Sequence, residues 1–356
     1  MAGGPGEPRA AHPVAVVTFI ARRLILLPLV GFGVTILIFA LLSFLDPGIR
    51  AGAFITNPNQ LKALDAIIRK YGLDQPMYVQ YWTWLREVLH GNLGWSQTAR
   101  LPVGEAIVLF FPTTLELTIS AFVPIMVIGI WLGTAAAVHR DKMLDHLSRI
   151  FSISFRSLPS FVWGLVILMI FYGRLNWFPP GRLSLDADLF VRSEQFRQYT
   201  GFMTLDSLLN GQLWIFFDAL RHLAGPALTL TMVSVALLVR VTRSSMLEAL
   251  GQDYVRTARA KGLANSVVTN KHARKNALIP VITLSSLTIV GLLGGVVITE
   301  TIFNFPGIGR WGAFAAQQLD IPGVTGFTMF IALLTVFGNL AADILYAYFD
   351  PRIRLQ

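Results

Sequence analysis

Between Arg240 and Asn276 the chain sets eight Lys or Arg residues against two acids, Glu248 and Asp253, with an apolar run on either side. The order is Arg240-Val-Thr-Arg243, then Glu248-Ala-Leu-Gly251-Gln-Asp-Tyr254-Val-Arg256-Thr-Ala258-Arg259-Ala-Lys261-Gly262, then His272-Ala-Arg274-Lys275-Asn276. Guanidinium and ammonium groups at this density grip carboxylates and phosphates; they break no bond. From Asp253 through Tyr254, Val255, Arg256, Thr257, Ala258, Arg259, Ala260 and Lys261 nothing interrupts a helix until Gly262. Asp253 reads as its N-cap, accepting from a free backbone N–H, and Gly262 as the left-handed residue that ends it. The spacing predicts a short helix with Val255, Ala258 and Leu263 facing one way and Arg256, Arg259 and Lys261 projecting elsewhere. Two uses fit it: a lever moved by a docked partner, or a basic amphipathic loop resting on anionic lipid.

The other candidate chemistries fall away. Gly307-Ile-Gly309-Arg-Trp-Gly312 formally matches a dinucleotide fingerprint, but that motif works only between a strand and a helix of a soluble βαβ unit. Here it lies between two membrane spans, and the glycines read as a tight re-entrant turn. There is no Gly-Lys dipeptide and hence no Walker A loop. The chain has no Cys, which excludes disulfides, thiolate catalysis and Cys-built metal sites. Its six His residues are scattered with no His-Glu-x-x-His pair, so no metal site is expected.

Membrane helices must carry these residues. Of 356 residues 54% are hydrophobic and 14% charged, where a soluble domain carries about 25% charged. Six apolar blocks approach or exceed the roughly 20 residues needed to cross a bilayer core: Leu24–Leu45, Leu115–Val138, Ile150–Leu175, Ala224–Val239, Leu278–Ile302 and Val324–Tyr346. The fourth is short and must extend past Arg240; the third holds Arg156 and Pro159 near one end. Barrel strands would be about 10 residues long with strict alternation, which these blocks lack. The first block is too long for a signal-peptide core and reads as a retained helix.

Lys and Arg gather at Arg22-Arg23, in the Arg140/Lys142/Arg149 loop, in Arg240–Lys275 and at Arg352/Arg354. The positive-inside rule then puts both termini of a multi-pass membrane protein in the cytoplasm. The formal charge of +9 is topology, not nucleic-acid affinity. Residues 1–21 read as a tail, 22–112 as the first helix with an outer cap, and 113–350 as a core of five helices. Within that core, 176–222 is an outer insertion and 240–277 the cytoplasmic segment; 351–356 form a second tail. In the cap, Asn59–Tyr71 and Tyr78–Leu89 carry helical periodicity.

At this point the residues resemble a family, the ABC importer permeases of the dipeptide/oligopeptide/nickel group, and most of all its dipeptide-type B subunit. The basic segment is similar to that group's cytoplasmic signature loop. Phe111-Pro-Thr-Thr-Leu-Glu-Leu117 resembles the opening of its core domain, and Trp177-Phe-Pro-Pro-Gly181 the outer loop after span three. Glu300-Thr-Ile-Phe303-Asn-Phe-Pro306-Gly-Ile-Gly309 resembles the exit of helix five. Asn339-Leu-Ala-Ala-Asp343-Ile-Leu-Tyr346, with Asp350-Pro-Arg352-Ile-Arg354, resembles the C-terminus. One departure stands out. The broad Glu-Ala-Ala-x-x-x-Gly consensus, aligned on Gly262, keeps only Ala258 and Gly262, with Arg256 at the Glu position.

The resemblance implies an all-α fold of six transmembrane helices, of the type I importer class. It implies a second homologous permease subunit, two cytoplasmic ATPases that hold ATP and Mg, and an extracytoplasmic substrate-binding protein. This chain would bind no cofactor and catalyse nothing. Residues Asp253–Gly262 and His272 would take the ATPase contact, and solute would cross by alternating access. Peptides lead the substrate list, with nickel and oligosaccharides as alternatives.

Charges at mid-bilayer cost at least about 2.5–3.5 kcal/mol and face the bundle or water. Glu116 and Glu300 sit near the outer span ends, and Glu300 either shapes a gate or anchors the following turn. Asn339, Asp343 and Tyr346 share one helix face by spacing, and Asp343 is placed to pair with Arg240 or Arg243. Ser285, Ser286 and Thr288 on span five, with Thr229, Thr231 and Ser234 on span four, give hydroxyl-bearing faces that line a path or glue helices; Gly291-Leu-Leu-Gly-Gly295 reads as packing. A secondary transporter would need inverted repeats and mid-membrane coupling charges, and a channel would need no ATPase.

Overall fold

The computed structural model describes residues 13–51, 54–55, 59, 64–294 and 296–349; among these, regular structure is helical except for one two-stranded hairpin. Helix α1, Pro13–Ser43, contains most of the expected first span. Three short helices follow: α2 (Pro47–Ala51), α3 (Leu64–Lys70) and α4 (Met77–Leu89). The last two fall where the cap periodicity put them. Trp84, Leu85, Ile67 and Leu73 close over Ile38 of α1 and Met329, so the cap is a packed unit. Strands β1 (Trp95–Ser96) and β2 (Leu101–Pro102) pair antiparallel, Trp95 opposite Pro102.

The core begins with α5, Val103–Val138. Next come α6 (Met143–Ser157) and α7 (Ser160–Ile167), the latter continued by a π turn over Leu168–Tyr172. The expected third span, Ile150–Leu175, is therefore not one straight rod. The two pieces meet at 99°. Pro159 is the cause: it excludes the preceding residue from helical geometry, and Leu158 is extended at φ −111, ψ 143.

Two short helices, α8 (Leu185–Val191) and α9 (Met203–Leu209), fold the insertion. Helix α10 then runs from Leu213 to Leu250. It overruns the expected Ala224–Val239 at both ends, so Arg240 and Arg243 are helical and the last ten residues of the expected insertion belong to a span. Beyond it lie α11 (Asp253–Ala260), α12 (Asn265–Val267), a π stretch (Val268–Ala273) and α13 (Arg274–Leu293). The chain finishes with α14 (Val297–Ile302), α15 (Ile308–Gln317) and α16 (Ile321–Phe349). The expected fifth span, Leu278–Ile302, is broken after Leu293.

Four helices among the described residues are long and apolar enough to cross a membrane, and the bent α6–α7 pair makes a fifth if its two pieces count as one span. The apolar stretch Pro28–Ser43 of α1 is shorter.

The central seam is α5 against α10. A Cβ on Gly129 would sit 2.5 Å from Leu238, and one on Gly133 would sit 2.5 Å from Thr242 and 2.8 Å from the Val239 carbonyl. Two glycines four apart thus let the backbones approach, as small residues do between membrane helices. Of the Gly291–Gly295 run, Gly291 has no such role, since a Cβ there would meet nothing within 4 Å, whereas one on Gly294 would reach Ile331 of the last helix at 4.0 Å; Gly295 lies outside the described residues. Because a backbone oxygen cannot swing aside, Gly133→Ala is expected to cost about 1–3 kcal/mol through overpacking. Thermal unfolding in detergent will show this as a lowered midpoint, whereas Gly291→Ala leaves it unchanged.

Candidate functional site

Helix α11 forms where expected, with one shift at its start. Gln252, extended at φ −74, ψ 153, is the N-cap, and Asp253 is the first helical residue. Asp253 makes no capping bond; its carboxylate pairs with Arg256 at 3.3 Å. It still places negative charge on the positive end of the helix dipole. At the other end Gly262 takes φ +74, and the Leu263 N–H reaches back to the Ala258 carbonyl. That turn sends Leu263 outward, where it is exposed, so of the three residues expected on one face only Val255 and Ala258 are buried.

Those two are fully buried, and they seat α11 among Ala137, Met246, Ala249, Val268, Ala273 and Ala277. The seat is built from α5, α10, the π stretch and α13. Every other α11 residue, from Tyr254, Arg256 and Thr257 to Arg259, Ala260, Lys261 and Gly262, is exposed. His272 lies on the π stretch, half-buried, beside seat residue Ala273. An eight-residue helix is not stable alone in water; this one is held by its apolar seat and shows a basic face outward.

Close by, Arg243 grips Asp145 with two bonds, one of them 2.7 Å from Nη2 to Oδ2. Asp145 is fully buried and also accepts from the Asp141 N–H at 3.0 Å. The expected partner, Asp343, has a side chain outside the described residues, as does Tyr346. The Asp145–Arg243 pair ties the start of α6 to the end of α10, one turn before the α11 seat.

At the opposite end of the bundle, Glu300 is fully buried. Its carboxylate accepts from Thr114 Oγ1 at 2.6 Å and from the Arg310 N–H at 2.7 Å, at the start of α15. Thr114 in turn accepts from the Ile308 N–H at 2.8 Å. A Cβ on Gly307 would lie 2.3 Å from the carboxylate, and one on Gly309 3.0 Å from it. The glycine motif is thus a helix N-terminus closed by an acidic side chain, and that side chain is the chain's own Glu300. Of the two readings for Glu300, the anchor is the one this geometry carries.

Ser285, Ser286 and Thr288 each donate to the carbonyl four residues back in α13. Thr229 and Thr231 do the same in α10. These hydroxyls are satisfied within their own helices, Thr231 reaching in addition to the Ala121 carbonyl of α5 at 3.3 Å, and Ser285 and Ser286 are buried. Asn339 is exposed on α16.

With this geometry in view, comparison with known proteins decides the family. Residues 125–355 match the model described as "Binding-protein-dependent transport system inner membrane component", and residues 16–118 match the N-terminal model of the same systems. The chain belongs to this family. It is 42% identical to the di/tripeptide transport system permease protein of Pseudomonas aeruginosa, over 95% of this chain and 99% of that one. It is 43% identical to the probable D,D-dipeptide transport system permease protein of Escherichia coli K12, over 92% and 94% respectively. The oligopeptide transport system permease protein of Bacillus subtilis is 36% identical over 94% and 98%. This is an all-α inner-membrane permease subunit.

In the permease, three of the quoted motifs meet near Glu300. Thr114 comes from the first, and the Gly181 N–H donates to the Phe303 carbonyl at 2.7 Å. Glu116 binds the insertion: it accepts from Arg182 at 2.8 Å, the Thr204 N–H at 2.8 Å and Thr204 Oγ1 at 2.7 Å. Two further carboxylates escaped the sequence reading. Asp145 showed only as one acid in a basic loop. Asp320 accepts from Ser96 Oγ at 2.5 Å, Thr98 Oγ1 at 2.6 Å and the Gly323 N–H at 3.1 Å. It clamps the β hairpin to the start of α16. Its signal was the Asp-x-x-Gly run before an apolar stretch.

Proposed function

We propose that this permease forms half of the pore of an ATP-driven importer of di- and oligopeptides. The other half is a second homologous permease chain. Two cytoplasmic ATPases bind ATP and Mg, and a substrate-binding protein delivers peptide from the far side of the membrane. Both termini and α11 face the cytoplasm, in line with the clustering of Lys and Arg, and lipid surrounds the bundle.

The observation that carries the reading is α11 itself. An eight-residue helix seated by Val255 and Ala258 and basic on its free face is suited to be pushed as one piece by a partner. Closure of the ATPase pair would move Asp253–Gly262 and, through the shared apolar seat that includes Ala273 next to His272, the ends of α5, α10 and α13. The pore then rocks outward, receives peptide and resets after hydrolysis. The printed names of the relatives support peptides as cargo. Ser285, Ser286, Thr288, Asn339 and Asp343 are the candidates for the path, and Glu300 for the rigidity of the outer gate.

Coexpression with candidate partners tests this. Copurification with two ATPase chains, and ATP turnover stimulated by peptide-loaded binding protein, are expected. Uphill transport by the chain alone in liposomes without nucleotide would overturn it.

A further inference from the structure

Near the 99° elbow of α6 and α7, Ser152, Ile153, Arg156, Ser157, Ala236 and Arg240 line a cleft of about 260 Å³. Two arginines from different helices therefore share one small space. Neither has an ion pair or hydrogen bond among the described residues, in contrast to Arg243 one turn further along α10. The nearby carboxylate, Asp145, is already taken by Arg243, by the Asp141 N–H and, at 3.8 Å, by Arg149. Two positive charges are thus left without a counter-charge among the described residues, in helices otherwise built for a membrane.

Such charges sit at membrane depth only where they face water or an anion. The backbone makes the same point. Residues 158–159 are non-helical and exposed beside the cleft, and open backbone of this kind calls for water or a polar ligand, not acyl chains. Two guanidinium forks from different helices supply donors matched to an oxyanion; the two serine hydroxyls are already spent within α6, Ser152 donating to the Ser148 carbonyl at 2.8 Å and Ser157 to the Ile153 carbonyl at 2.7 Å.

We propose that the Arg156–Arg240 cleft binds the terminal carboxylate of the peptide in transit, an assignment that rests on the peptide-import reading above. Peptides differ in every side chain but share that one group. A permease that grips the common end needs no pocket for the variable parts, and two arginines on separate helices at the elbow bring the charge to where the helices can part.

The test uses the assembled transporter in nanodiscs without binding protein, and compares binding of radiolabelled trialanine with that of its C-terminal amide. Wild type is expected to hold the acid more tightly by about tenfold or more, the worth of a charge-assisted pair. In R156Q/R240Q the two ligands bind alike, and R156K/R240K restores most of the difference. Equal binding of acid and amide by wild type, or a preference that survives the glutamine pair, overturns the assignment. Loss of copurifying phosphatidylglycerol in the glutamine variant with the peptide preference intact would give the cleft to a lipid headgroup instead. Uptake of trialanine driven by the binding protein is measured in parallel on wild type. If it fails, the peptide reading falls and takes this assignment with it; if it holds, only the binding result judges the cleft.

Discussion

Ala258→Trp is expected to abolish peptide-stimulated ATP turnover by the assembled transporter while leaving assembly intact. Ala258 is 4% exposed and lies in a cluster with Met246, Ala249, Ala273 and Ala277. An indole cannot enter that space, and forcing larger groups into a filled core costs about 1–3 kcal/mol. Helix α11 has little else to hold it, since Val255 is its one other buried residue. The helix therefore leaves its seat while the long helices keep their own packing. Gly262→Val acts on the same part from the other side: at φ +74 a β-branched residue is strained by about 1–2 kcal/mol or more, and the stop that turns Leu263 outward is lost. Stimulation is expected to fall more than tenfold in both, with copurification of the ATPases as the control. Turnover at the wild-type level in Ala258→Trp would remove α11 from the coupling path.

Glu300→Ala should produce the largest loss of stability of any single side-chain truncation at the opposite end. It strips the acceptor from Thr114 Oγ1, which is buried, and from the Arg310 N–H, which is half-buried. A buried donor left without a partner costs about 1–3 kcal/mol, so two such donors cost at most about 2–6 kcal/mol, the half-buried one contributing the smaller share. Glu300→Gln keeps one acceptor oxygen and loses less. Thermal unfolding in detergent, read by the order Ala below Gln below wild type, checks the assignment. A midpoint for Glu300→Ala within a degree of wild type would mean that the carboxylate does not organise α15.

The apolar blocks were readable because crossing a bilayer leaves a long one-dimensional trace. So was α11, whose end is marked by a glycine that local geometry requires. What escaped was set by tertiary contact. Pro159 is visible in the chain, but the angle of the elbow depends on how α6 and α7 pack on α10. Arg243 had several possible acids, and it takes Asp145, 98 residues away in the chain. Thr114 and Glu300 are 186 residues apart, and no spacing rule joins them. Leu263 was misplaced because periodicity was carried one residue past the point where Gly262 reverses the chain. The hydroxyls of α13 looked available by residue type, yet each closes on its own backbone.

Self-occupancy at Gly307–Gly309 bears on how such motifs are searched. Glycine spacing records how many peptide dipoles point into an open hollow and how near an acid can come. It carries no information about whose acid arrives. A pattern scan of this permease would report a nucleotide pocket at a point already plugged by its own polypeptide, so a useful filter asks first for an internal Glu or Asp a few residues upstream.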